Sequence, residues 1–158
     1  MKTFLTALIM GTCGALAVFT SFSLHWPTWV MFIAWVSYYL FGRSLKTAAI
    51  SLVQIASGII MGIIMQSSAM GLSGLIGPLG FPVMVFILIG SLAYISKVKL
   101  LSNIPAWFIG LIIFFGVHPV IEPVAIIEIF IPIVAGFMFA FLNDNAVSLA
   151  SRLSGNLN

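Results

Sequence analysis

From Thr3 to Gly42 the sequence contains no Asp, Glu, Lys or Arg, and from Thr47 to Ser96 there is again none. Uncharged stretches of that length cannot be laid over the surface of a water-soluble domain, in which roughly a quarter of residues are charged. Here 62% of the residues are hydrophobic and 6% are charged. Lipid offers backbone N–H and C=O groups no partner, so a spanning segment must satisfy its own hydrogen bonds, and apolar runs this long do so as helices. The chain reads as an all-α integral membrane protein, residues 1–158 forming a single membrane domain with the bilayer as its first partner.

The apolar runs go from Thr3 to Leu24, Pro27 to Gly42, Thr47 to Ser67, Phe81 to Ser96, Pro105 to Val117 and Ile121 to Leu142. Two of them open on the same tripeptide pattern, Pro27-Thr28-Trp29 and Pro105-Ala106-Trp107. A proline at the first helical position sacrifices no hydrogen bond and presets φ, and a tryptophan just inside suits the membrane interface. Sliding the sequence so that Pro27 falls on Pro105 also places Gly58 on Gly136 and Gly62 on Ala140. Two related halves are implied: repeat one at about 1–68, a Gly-rich connector at about 69–80, repeat two at about 81–145 and a polar tail at 146–158. The two Pro-x-Trp runs are short, about 24 and 20 Å as helices against a hydrocarbon core of about 30 Å. The first run also carries Ala15-Leu16-Ala17, a passable signal-peptide cleavage site, although its apolar stretch continues to Leu24.

The charges test the number of spans. With six spans and the N-terminus inside, Lys2, Arg43, Lys46, Lys97, Lys99 and Arg152 all fall on one side of the membrane, as the positive-inside rule requires. Both termini are then cytoplasmic. Three spans is an odd number, so the two halves face opposite ways, and the expected architecture is six transmembrane helices as two inverted three-helix repeats. The net charge of +3 is spent on topology, and no nucleic-acid partner is expected.

Candidate residues follow from depth and type. Trp29 and Trp107 read either as interfacial anchors or as the lining of a solute path. Gln54, near the middle of its run, reads as a helix-bridging donor or as a solute contact. Glu128 lies about six residues into its helix, roughly 9 Å deep, where a carboxylate has to be hydrated, paired or protonated. His25, His118 and Glu122 fall together on the outer side as a candidate pH-sensitive mouth. Gly58, Gly62, Gly136 and Ala140 are the expected helix-packing positions. The N-terminal ends of the two short helices point inward from opposite faces and suit an anionic or carbonyl-bearing solute. No phosphate-binding loop, nucleophile elbow or Cys/His metal spacing occurs, and Asp144 lies across the membrane from both histidines, so neither catalysis, a cofactor nor a metal is expected. The single cysteine, Cys13, reads as a small packing residue in an apolar run.

Leu45-Lys46 followed by Ala49-Ile50-Ser51, then Ser57-Gly58, Pro105 with Phe108-Ile109-Gly110, and a last span rich in small residues make the chain resemble the YcdZ-like family of small bacterial inner-membrane proteins, defined by domain of unknown function 1097. The resemblance implies a bacterial inner-membrane location. Six spans as two three-helix units are also similar in architecture to the proton-gated urea channels, which form rings of protomers. The expectation is a homo-oligomeric protein that passes a small neutral or weakly acidic solute. Its alternative is a non-transporting scaffold or assembly protein whose small-residue faces serve only packing.

Overall fold

The computed structural model describes residues 2–155. Its regular structure is helical throughout: α1 (Lys2–Ser23), α2 (Thr28–Phe41), α3 (Leu45–Ile76), α4 (Gly80–Ile95), α5 (Ile104–Val117) and α6 (Pro123–Gly155), with 3₁₀ turns at Gly77–Leu79 and Lys99–Leu101. Three stretches are long and apolar enough to cross a membrane, Lys2–Ser23, the nearly continuous Leu45–Ile95 and Pro123–Leu153. This is a helical membrane protein.

Local chemistry sets the helix ends. Pro27, at φ −67°, precedes α2, and its carbonyl takes the Val30 N–H at 3.0 Å. Pro105 lies in the first turn of α5, where the missing N–H costs nothing. At the other end of α2, Gly42 (φ 130°) and Arg43 (φ 51°) turn the chain, and the Arg43 N–H reaches back to the Tyr38 carbonyl at 3.0 Å. Ser44 and Thr47 then cap α3 reciprocally, each hydroxyl accepting the other's backbone N–H at 3.2 Å. Two segments are helical despite their composition. The Gly-rich connector is helical through Gly71 and Gly74, and the chain breaks only at Gly77, whose φ of 62° needs glycine. A glycine-rich helix is costly in water, but in lipid the alternative is an unsatisfied backbone. The polar tail likewise continues α6 as far as Gly155, and its last three residues lie outside the described ones.

The chain forms two compact units. One holds α1, α2 and α6 from Ile127 onward; the other runs from Ala49 in α3 through α4 and α5 to Ile126. In the first, α1 and α2 form a hairpin closed by a 2.6 Å hydrogen bond between the Ser21 and Thr28 hydroxyls and by the Trp26 N–H on the Ser21 carbonyl at 2.8 Å. Gly136 of α6 lies against the Met31 carbonyl and Ala34 of α2. Further along, Trp35 stacks on Phe139 with centroids 6.3 Å apart, and Tyr38 meets Phe141 edge-on at 6.4 Å. Residue numbers rise together along this contact, so α2 and α6 run parallel.

The second unit repeats the device. Gly58 of α3 lies against the Trp107 carbonyl and Gly110 of α5, Gly110 lies against the Ile55 carbonyl, and Gly62 receives the Phe114 ring. Numbers rise together here too, and α3 runs parallel to α5. Met61, Met65, Leu92, Trp107 and Leu111 form one buried cluster, with Met84, Val85, Leu88 and Ile89 of α4 packed on it.

Candidate functional site

Gln54 and Trp107 stand on different helices and converge on one turn. Gln54, 3% exposed, donates its Nε2 to the Leu100 carbonyl at 2.7 Å. Trp107, 6% exposed, donates its indole N–H to the Leu101 carbonyl at 3.0 Å. The turn at Lys99–Leu101 has carbonyls that no helix bond satisfies, and these two side chains supply the donors. Both donors are therefore engaged with backbone and hold the start of α5 against α3. Sequence spacing could not show the Gln54 contact, because Gln54 and Leu100 are separated by the whole of α4.

Beside Trp107 lies a half-open cavity of about 260 Å³. It is lined by Ser57, Ile60, Met61 and Ile64 of α3, Leu88, Ser91 and Ile95 of α4, and the Trp107 ring. Ser57 and Ser91 carry its hydroxyls. In each the hydroxyl donates within its own helix, Ser57 to the Val53 carbonyl at 2.9 Å and Ser91 to the Leu88 carbonyl at 2.6 Å. No ionisable side chain lines it. Ser57 enters the sequence reading only through its family likeness and Ser91 not at all; a serine inside a strongly apolar run was the available signal for both.

The first unit has a larger feature of about 430 Å³, an apolar groove along α6 lined by Ile127, Phe130, Ile131, Val134, Ala135 and Met138 with Trp26. Apart from the Trp26 indole it offers a ligand no polar side chain, so it suits hydrocarbon and has little means of selecting a solute. A cluster of polar side chains in this unit lies elsewhere, at the C-terminal end of α2. Arg43 pairs with Asp144, the Tyr38 hydroxyl donates to the same carboxylate at 3.2 Å, and Asn143 donates to the Tyr39 hydroxyl at 2.8 Å. The Arg43 guanidinium lies over the Tyr39 ring, 5.2 Å from its centroid, and the Asp144 carboxylate raises the Arg43 pKa above its usual value. Asn143 is 2% exposed and its Oδ1 has no partner among the described residues.

The remaining sequence candidates line neither of these two cavities. Trp29, the counterpart of Trp107, is 38% exposed and does not share the buried setting of its partner. Glu128 is exposed on α6, one turn beyond the start of its helix. His25, His118 and Glu122 are exposed. Both histidines have positive φ, 56° and 49°, and His118 is the left-handed cap that ends α5, its N–H on the Phe114 carbonyl at 3.1 Å. Gly58, Gly62, Gly136 and Ala140 are all buried in helix contacts. Among the described residues no three His, Cys, Asp or Glu side chains come together as a metal site.

No curated protein and no solved structure matches the chain. The pattern of one family does match, over residues 7–147, a span that takes in α2 to α5 whole and most of α1 and α6. The chain belongs to the family described as "Protein of unknown function (DUF1097)".

Proposed function

We propose that this is a six-span transport protein, built as two inverted three-helix repeats, that passes a small solute across a bacterial inner membrane with both termini on the cytoplasmic side. The observation that carries this reading is the pair of parallel contacts. The shift that takes Pro27 onto Pro105 also takes Leu45, the first residue of α3, onto Pro123, the first residue of α6. It takes Gly58 onto Gly136, and each glycine lies against the backbone of a short helix, α5 for Gly58 and α2 for Gly136. The third helix of each repeat thus packs on the second helix of the other.

Direction follows from these contacts. For α3 and α5 to run parallel the chain must return between them, which is the work of α4. For α2 and α6 to run parallel, an odd net number of crossings must separate them, and α3, α4 and α5 supply three. Six alternating spans satisfy both conditions and keep every basic residue on one side. Inverted repeats of this kind characterise transporters and some channels, with the solute held among the helices. The cavity beside Trp107 is the feature suited to that role, being lined by three helices and carrying hydroxyls in an otherwise apolar wall.

The scaffold reading draws on a different observation, that Gln54, Trp107 and the small residues of both units are spent on holding helices together. Reconstitution into liposomes separates the two. Swelling in small neutral solutes, absent from empty liposomes, is the expected result; folded protein that passes none of them leaves the scaffold reading in place.

A further inference from the structure

The hydrogen-bond inventory of the cavity in the second unit defines what can bind there. Its polar atoms are the two serine oxygens, and both protons are committed to helix carbonyls. The Trp107 N–H is committed to Leu101. Ile60, Met61, Ile64, Leu88 and Ile95 bring no donor. A ligand acceptor would gain nothing net from a serine, because the bond it receives replaces one the hydroxyl gives up. A ligand donor adds a bond to a lone pair that is already exposed. The cavity is therefore an acceptor-only site with an apolar wall.

Charge narrows the class further. A carboxylate would enter without any uncommitted donor, and an ammonium ion would enter with only the Trp107 face and no carboxylate to offset its desolvation. A neutral molecule avoids both costs. The volume of about 260 Å³ equals the liquid volume of roughly nine waters, which sets the size below that of drug-like ligands. We propose that this cavity binds a small neutral alcohol, or an equivalent uncharged molecule with a hydroxyl or amide donor on a short hydrocarbon body, takes donor-free molecules of the same size more weakly, and rejects carboxylates. The class of solute rests on the transport reading above; the binding itself does not.

Brominated probes of one size test it, because bromine quenches tryptophan on contact. With Trp26, Trp29 and Trp35 replaced by Phe, Trp107 becomes the reporter in detergent-purified protein. The probes are 4-bromobutan-1-ol, its ether isomer 1-bromo-3-methoxypropane, and 4-bromobutanoate. Saturable quenching by the alcohol at about fivefold lower concentration than by the ether is expected, the worth of one net hydrogen bond, with no saturable quenching by the carboxylate. Replacing Ser57→Ala and Ser91→Ala together should bring the alcohol to the level of the ether. Equal quenching by alcohol and ether in the unaltered cavity overturns the proposal and marks the site as a place for hydrocarbon, such as a lipid chain. Preference for the carboxylate, or no saturable quenching by any probe, overturns it as well. The same probes on the chain with all its tryptophans, followed by ligand-observed NMR, free the result from the Phe replacements. Binding without liposome flux would sink the transport reading and leave this one standing; flux without binding would do the reverse.

Discussion

The two units share a frame and fasten it differently. In the second, two glycines face each other, Gly58 and Gly110, so α3 and α5 meet backbone to backbone, and Gln54 and Trp107 supply side-chain donors at the turn. In the first, Gly136 faces Ala34, and the contact between α2 and α6 is extended by aromatic rings and closed by the Arg43, Asp144, Tyr38, Tyr39 and Asn143 cluster. Lipid supplies little hydrophobic drive for helix pairing, so contact area and hydrogen bonds must do the holding. Close approach at a glycine serves both units; the second adds a facing glycine, the first side-chain reach. The closer approach also leaves Trp107 buried beside a cavity, whereas Trp29 is partly exposed.

The largest effect is expected where backbones touch. A Cβ at Gly58 would overlap the Trp107 carbonyl, and one at Gly110 would overlap the Ile55 carbonyl, neither of which can yield as a flexible side chain would. Gly58→Ala or Gly110→Ala should each cost about 3 kcal/mol or more, seen as a fall of roughly 10 °C in detergent melting temperature. Gly14→Ala and Gly71→Ala, where a Cβ meets nothing within 4 Å, should instead be neutral or stabilise by up to about 1 kcal/mol. Equal melting temperatures for Gly58→Ala and Gly71→Ala would remove the distinction on which the second unit is described.

Much of this frame was legible in advance. The lack of charge between Thr47 and Ser96 implied lipid, and the Pro-x-Trp echo located two helix starts that the structure places at Thr28 and Ile104. Gly58, Gly62, Gly136 and Ala140 read as packing positions from small residues at four-residue spacing, and all four are buried. Gly110 was not singled out for packing, since its partner spacing lies across the chain. The length of α3 was obscured by glycines, whose penalty belongs to water. The site was less legible than the frame. Gln54 was read at mid-depth, but its partner is a turn carbonyl next to Lys99, and no periodicity connects Ser57 to Ser91.

The next effect is expected at the turn. Gln54→Leu leaves the Leu100 carbonyl without its donor, and Trp107→Phe does the same to Leu101, each costing about 1–3 kcal/mol. In the first unit the matching experiment should give the opposite sense. Asn143 buries an amide whose Oδ1 is unpaired, so removing both partners by Asn143→Leu with Tyr39→Phe should change stability by less than about 0.5 kcal/mol, while Tyr39→Phe alone costs about 1 kcal/mol. Chemical denaturation of the four variants would decide it. A double variant of the first unit as damaging as Gln54→Leu would mean that its polar cluster is as essential as the turn.

The smallest effect belongs to Arg43. Its side chain is 58% exposed, so water and salt screen the pair with Asp144 and the long side chain gives up rotamer freedom to make it. The planar guanidinium nevertheless does two things at once, pairing with the carboxylate and covering the Tyr39 ring, and Lys can match only the charge. Arg43→Lys should therefore resemble Arg43→Gln in melting temperature, both differing little from the unaltered chain and the difference shrinking in salt. The direction of the pKa gives a further check. Because Asp144 raises the Arg43 pKa in the folded protein, the associated stability is fully present below the usual arginine range and is lost only as pH rises through the raised value. Across pH 7 to 10 the melting temperature of Arg43→Gln should track that of the unaltered chain at a constant offset. An offset that grows with pH inside that window would mean that the stability lost with Arg43 does not come from its pair with Asp144 alone.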